Sequence, residues 1–284
     1  MLAIPLWLAC MLLLVGGPKA EAQVPGSLPQ KSAWMLFEPG LELGEFPAPQ
    51  KSGFGDPIIR VLRIDPSLFT FRLLNASASP EKKPLTGRGW AGRHNLVAVI
   101  NASIFKADGL TSVALMKTRD HVNNPKFSKD KSILAFDPLE PSLPGIKIAD
   151  RECDDFTALG KKYGTLVQSI RMVSCRGKNV WAPQAKKWST AAVGIDRSGR
   201  VLFIHSRSPY STHDLIDILL KLPLELDRAM YVEGGPEAQL YVRSGEKEFE
   251  FLGSYETGFN ENNDNDKAWP VPNIIGVVRK TAEK

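Results

Sequence analysis

The chain has 284 residues and a formal net charge of +5, with 36 Lys and Arg against 31 Asp and Glu. Its basic residues are scattered and not interleaved with aromatics, which argues against nucleic acid as a partner and leaves anionic small molecules or envelope polymers. Neither its cysteines nor its histidines show zinc-ligand spacing, so no metal is expected.

Residues 1–22 read as a cleavable secretory signal. The apolar run from Leu2 to Val15, interrupted by Pro5, is shorter than the ~20 residues a membrane-spanning helix needs. Ala20-Glu21-Ala22 then supplies the small-x-small pattern of a cleavage site. Cleavage would leave no stable membrane anchor and a secreted or periplasmic protein. It would also remove Cys10, so that Cys153 and Cys175 remain, either as one disulfide or as two buried thiols. Residues 23–32 are expected to be a flexible lead and residues 33–284 a single domain.

Short β-like runs follow at residues 34–37, 58–64, 69–74, 96–100, 113–116 and 133–136, separated by turn residues. Residues 77–93 read as a polar loop. A helix is predicted over 154–163, with Asp154 or Asp155 near its start, and a strand over 165–173. Residues 191–195 and 201–205 flank Asp196-Arg197-Ser198-Gly199 and should form an antiparallel hairpin, with Thr190 opposite Ser206. Next, Leu215, Ile216, Leu219 and Leu220 share one face of a helix over 212–222, capped by Ser211 or Thr212 and stopped by Pro223. Residues 228–232 return as a strand.

This strand-helix-strand pattern predicts two parallel strands joined by a crossover, and hence an α/β domain with a mixed sheet and flanking helices. Parallel strands end on one edge, so His205, Ser206 and Arg207 should share a rim with Glu233, Gly234 and Gly235. The hairpin brings Ser189 and Thr190 to the same rim. Crevices at such edges favour ligand sites.

The segment Tyr231-Val232-Glu233-Gly234-Gly235-Pro236-Glu237-Ala238-Gln239 resembles the acidic-Gly-Gly segment of the phosphodiester glycosidase domain family. Val99-Ile100-Asn101-Ala102-Ser103-Ile104-Phe105 is similar to the family's strand ending in Asn-Gly-Gly-Phe-Phe, and Val167-Gln168-Ser169 to its Gln-Ser-Gly-Pro strand. Pro270-Val271-Pro272-Asn273 precedes a last strand over 274–278 as the family domain ends. Some positions depart from the pattern: Glu233 replaces Asp, Ala102-Ser103 replace Gly-Gly, and Ile170-Arg171 replace Gly-Pro. Thr190 stands where an Arg is common, a role that Lys187 or Arg207 would have to fill.

The resemblance implies hydrolysis of a sugar phosphodiester, or of a related glycan linkage, without a cofactor. A phosphate monoester leaves readily, so one carboxylate could suffice as nucleophile or base. Glu233 is the first candidate and Glu237 the second, with His205 or His213 as an acid or an orienting donor. Arg207, and after it Arg171, would suit a phosphate. Asn101, Gln168, Ser169, Ser189, Thr190, Ser206 and Asn273 are hydrogen-bonding types suited to sugar hydroxyls, and Gly234 and Gly235 would allow close approach to a ligand. The alternative is a non-catalytic carbohydrate- or phosphate-binding protein of the same fold. Residues 262–266 read as a solvated loop, and Asn75-Ala76-Ser77 and Asn101-Ala102-Ser103 as formal glycosylation sequons.

Overall fold

The first three strands, β1 (Trp34–Glu38), β2 (Leu41–Pro47) and β3 (Ile58–Ile64), form an antiparallel meander. The structure, a computed structural model, describes residues 34–281. The expected signal and lead lie outside the described residues. β4 (Phe69–Asn75) leaves the meander and is followed by α1 (Gly87–His94) and β5 (Ala98–Asn101). Two short strands, β6 (Met116–Lys117) and β7 (Val122–Asn124), precede β8 (Ser132–Pro138) and β9 (Ile146–Asp150). Then come α2 (Phe156–Lys162), β10 (Tyr163–Val173), β11 (Trp188–Asp196), β12 (Val201–Tyr210), α3 (Thr212–Lys221) and β13 (Leu226–Gly234). β14 (Gln239–Ser244), β15 (Lys247–Leu252) and β16 (Asn273–Arg279) close the domain.

These strands make two sheets. One has eleven strands, in the order β1-β2-β3-β12-β11-β13-β10-β6-β7, with β8 and β9 attached through β10; the other has five, in the order β15-β14-β5-β16-β4. Every pairing of named strands is antiparallel. Among the described residues the expected flanking helices are present as three short α-helices, while the expected mixed sheet is corrected to two antiparallel sheets that dominate the domain. Its core draws on both sheets, with Leu62, Phe203, Met230 and Val232 from the larger packing with Ile100, Leu240 and Ile275 from the smaller. A second apolar cluster forms where Leu215, Ile216, Ile218 and Leu219 of α3 meet Leu202, Ile204 and Tyr231. Leu220, expected on that face, is exposed, because the buried stripe runs through Ile218 instead.

The hairpin forms with the expected register, Thr190 opposite Ser206. The strand-helix-strand reading needs a correction. β12 and β13 do point the same way, but β11 lies between them, antiparallel to both. Their carboxyl ends still share an edge. The expected loop over 77–93 ends in α1, which forms despite Gly87, Gly89 and Gly92. Thr86 caps it by accepting from the Gly89 amide, Asn95 ends it in the left-handed conformation, and Trp90 is buried with its indole N–H donating to the Val271 carbonyl. Tertiary anchoring outweighs the low helix propensity of glycine. In the expected strand 113–116 only Met116 is in β6. Asp155 is the N-cap of α2.

Cys153 and Cys175 form a disulfide across 22 positions. Both sequon asparagines are buried, and their amide nitrogens donate within the protein, which removes them as glycan acceptors. Among the described residues no helix is long and apolar enough to cross a membrane.

Candidate active site

Glu233 stands near the end of β13, just after an irregularity in the ladder. Ala192 pairs with Tyr231 and Ala191 with Glu233, so Val232 is an extra residue with no partner on β11. Such a bulge bends its strand and re-aims the side chains beyond it. Because Ala191 also pairs with His205, and His205 with Arg60 of β3, the four residues occupy one row across four strands.

Glu233 is buried, and the Gly234 amide donates to its Oε1 at 3.1 Å while Oε2 has no hydrogen-bond partner. Burial pushes its pKa up to about 8, against the effect of that amide, and the nearby Glu237 and Glu256 add to the rise. The half-buried Glu237 and Glu256 are raised too, mainly by burial. Tyr231 completes the group. Its hydroxyl is held in the neutral form by burial and then by the three carboxylates. Like charges sharing a low-dielectric site cannot all ionise together.

The backbone around these groups is tightly fitted. Gly235 opens a 3-10 turn, Gly235–Glu237, with φ +61, a conformation that L residues rarely adopt. A side-chain carbon there would lie 2.5 Å from Glu256 Oε2, and one on Gly234 would lie 2.1 Å from the Tyr231 hydroxyl. Asn101 fastens the turn from β5: its amide donates to the Glu237 carbonyl at 2.9 Å, and its oxygen accepts from the Gln239 amide at 2.8 Å. The segment carrying Glu256 lies against the start of β11 through a bridge between Trp188 and Glu256. Ser189 holds that segment, accepting from the Ser254 and Tyr255 amides while donating to the Arg207 carbonyl.

The structure therefore brings Glu233, Gly234, Gly235 and Glu237 together, with Asn101 and Ser189 as supports. Thr190 is the neighbour of Gly234 on β11. Sequence reasoning missed Glu256 and Tyr231. Tyr231 was within reach, two positions before the acidic residue in the quoted motif, whereas Glu256 sits in a loop without any local signal.

Other expected residues are placed elsewhere. Arg207 donates through Nε and Nη2 to Asn263 and through Nη1 to the Leu252 carbonyl, so its guanidinium fastens a loop. It is not among the groups that shift Glu233. The hollow it lines contains neither Glu233 nor Glu237, so the expected common crevice does not form around that pair. Arg171 is buried and paired with Asp150 and Glu152. Gln168 bonds the backbone of Ser128 and Asp130. Ser169 donates to the Tyr231 carbonyl, Ser206 to the Ser208 carbonyl, and Thr190 weakly to the Trp188 carbonyl. Asn273 links to Asn75 and to the Leu110 carbonyl. His213 sits at the start of α3 beside Asp214. The Lys187 backbone pairs with Thr257. Polar groups at strand ends thus serve mostly to tie loops down.

Among the described residues no group of three or more His, Cys, Asp or Glu could hold a metal ion.

Comparison with known proteins places this geometry in context. The family model described as phosphodiester glycosidase matches residues 94–278. The catalytic domain of zebrafish N-acetylglucosamine-1-phosphodiester alpha-N-acetylglucosaminidase, in a form auto-inhibited by its pro-peptide, has a similar fold. The TM-score is 0.61 at 11% identity, over 86% of this chain and 85% of that one. A hypothetical protein from Synechocystis matches with a TM-score of 0.57 at 12% identity, over 87% of this chain and 63% of that one. No curated protein matches the chain.

Proposed function

This chain belongs to the phosphodiester glycosidase family, and from that premise we propose that it is an exported hydrolase that detaches a sugar from a phosphodiester, with Glu233 and Glu237 as its acid and base. The observation that carries the reading is the buried Glu233 with one unpartnered oxygen and a pKa near 8, beside two more exposed carboxylates. Carboxyl groups whose surroundings push their pKa values apart divide into acid and base.

This division changes the role expected of Glu233 from nucleophile or base to acid, and gives the base role to Glu237, the second candidate for it. Near neutral pH Glu233 keeps its proton and is the donor, while Glu237, less deeply buried, ionises first. Water adds to the anomeric carbon and gives a proton to Glu237; the bond from that carbon to the phosphate oxygen breaks, and Glu233 protonates the departing oxygen. The products are a free sugar and a phosphate monoester. Negative charge on Glu237 and Glu256 would also favour an oxocarbenium-like transition state. The disulfide fits an oxidising compartment.

A second reading has its own observation. Arg207 and Arg171, the two arginines suited to a phosphate, are both occupied by protein partners, as in a binding protein that kept the fold and lost the chemistry. Turnover of a chromogenic sugar phosphodiester decides between the two. The enzyme reading requires turnover by the wild type and a loss of about 100-fold or more in kcat in both Glu233→Gln and Glu237→Gln. A wild type that binds the sugar phosphate without turnover establishes the binding reading.

A further inference from the structure

A hollow of 390 Å³ opens beside the candidate site, lined by His205 together with Arg60, Arg207 and Phe251 and bordered by residues 263–266. His205 is fully buried, and neither ring nitrogen has a well-formed hydrogen bond. Leaving such a group unpaired costs about 1–3 kcal/mol. One contact with the Ala238 backbone bears on its charge, but burial and the flanking Arg60 dominate and keep the imidazole neutral, with a pKa near 3. The neutral ring thus carries one donor and one acceptor without a well-formed partner, held in the wall of the hollow.

The rest of the lining is equally ordered. Arg60 makes two hydrogen bonds to Asp56, at 3.3 and 2.6 Å, and its guanidinium lies 4.7 Å from the centroid of the Phe251 ring. Arg207 is fixed by Asn263. Four acidic residues, Asp56, Glu250, Asp264 and Asp266, face two arginines, so the hollow repels a phosphate. Fixed carboxylate, amide and imidazole groups around an aromatic face suit a neutral ring with many hydroxyls.

We infer that this hollow is a binding site for a neutral sugar, distinct from the carboxylate group at Glu233, the backbone of His205 in its wall lying about 10 Å from that of Glu233, two strand spacings along the row. The assignment does not rest on the hydrolase reading, because it requires binding and not turnover.

The test uses the histidine ring signals of the full chain in long-range proton-nitrogen NMR. Glucose, mannose, galactose and N-acetylglucosamine are titrated separately, with inorganic phosphate, mannose 6-phosphate and calcium as contrasts. At least one neutral sugar should shift the His205 ring and leave those of His94, His121 and His213 in place. Asp266→Ala, at an exposed position that does not threaten folding, should weaken that binding at least tenfold, and Glu233→Gln should leave it within twofold. The assignment is overturned if no neutral sugar moves His205. It is equally overturned if phosphate or calcium moves that ring in preference to the sugars, or if Asp266→Ala binds as the wild type does.

Discussion

The side-chain amide of Asn101 donates to the main-chain carbonyl of Glu237 at 2.9 Å, so a residue on β5 of the smaller sheet sets the position of a carboxylate next to the larger one. Its oxygen also accepts from the Gln239 amide. Replacing Asn101 by Ala leaves buried groups unpaired on both sides and should cost about 1–3 kcal/mol of stability. Asn101→Asp should be at least as costly, because it sets a carboxylate oxygen against the Glu237 carbonyl. Urea unfolding of the two variants measures both effects.

Gly235 should resist substitution for two separable reasons, its positive φ and the approach of Glu256 Oε2. Gly235→Ala is expected to lose more than about 1 kcal/mol. Shortening the neighbour in a Gly235→Ala, Glu256→Ala double variant should restore part of that loss and leave the share due to φ. A double-mutant cycle with no coupling would show that the two residues do not press on each other.

The two buried titrating groups predict opposite pH slopes. Glu233 binds its proton more tightly in the folded chain than its ordinary value of 4.5 and releases it near 8. Its stabilising share is complete below about 4.5 and is lost as pH rises through 8. His205 runs the other way, since its pKa falls from 6.5 to about 3. Its share is complete above 6.5 and is lost as pH falls toward 3. In Glu233→Gln the fall in stability between pH 5 and 8 should flatten, while the acid limb stays. Denaturant melts at four or five pH values are sufficient to see this.

Reducing the Cys153–Cys175 disulfide should cost about 3 kcal/mol in the chain-entropy account of a loop spanning 22 positions. The Cys175 amide donates to Asp150, which also holds Arg171, so the change should be felt beyond the bridge itself. Thermal melts with and without a thiol reductant test it.

Arg207→Lys replaces a three-branched anchor by a single ammonium and cannot reproduce the bonds to Asn263 and Leu252. Limited proteolysis within residues 253–266 should quicken severalfold, whereas global stability should change little. An unchanged cleavage rate would mean that Arg207 does not secure this loop.

Some of this was legible in the chain. A turn-rich tetrapeptide placed Thr190 opposite Ser206, and apolar spacing marked α3. The side on which β11 would lie was not legible, because a hairpin partner can add to either edge of β12 and no local residue records the choice. Helix α1 was hidden by its glycines, its stability coming from the Thr86 cap and from bonds that Trp90 and the Gly87 amide make to Val271 and Gln239 in distant parts of the fold. The carboxylates of Glu233 and Glu237 were visible as a motif. Glu256 was not, since its segment reaches them through a long-range bridge to Trp188 and bonds to Ser189. Arg207 lies at the expected rim, but which way a long side chain turns depends on a loop that sequence periodicity does not describe.

The unpaired Val232 carries a last consequence. With an uninterrupted ladder Ala191 would face Val232, and Glu233 would move along to face Thr190, out of line with His205. The alignment of acid and imidazole is thus a matter of counting as much as of chemistry. Deleting Val232 would close the ladder with Glu233 still opposite Ala191 but without the local bend, whereas regular pairing of the intact strand would put the carboxyl out of phase with the imidazole.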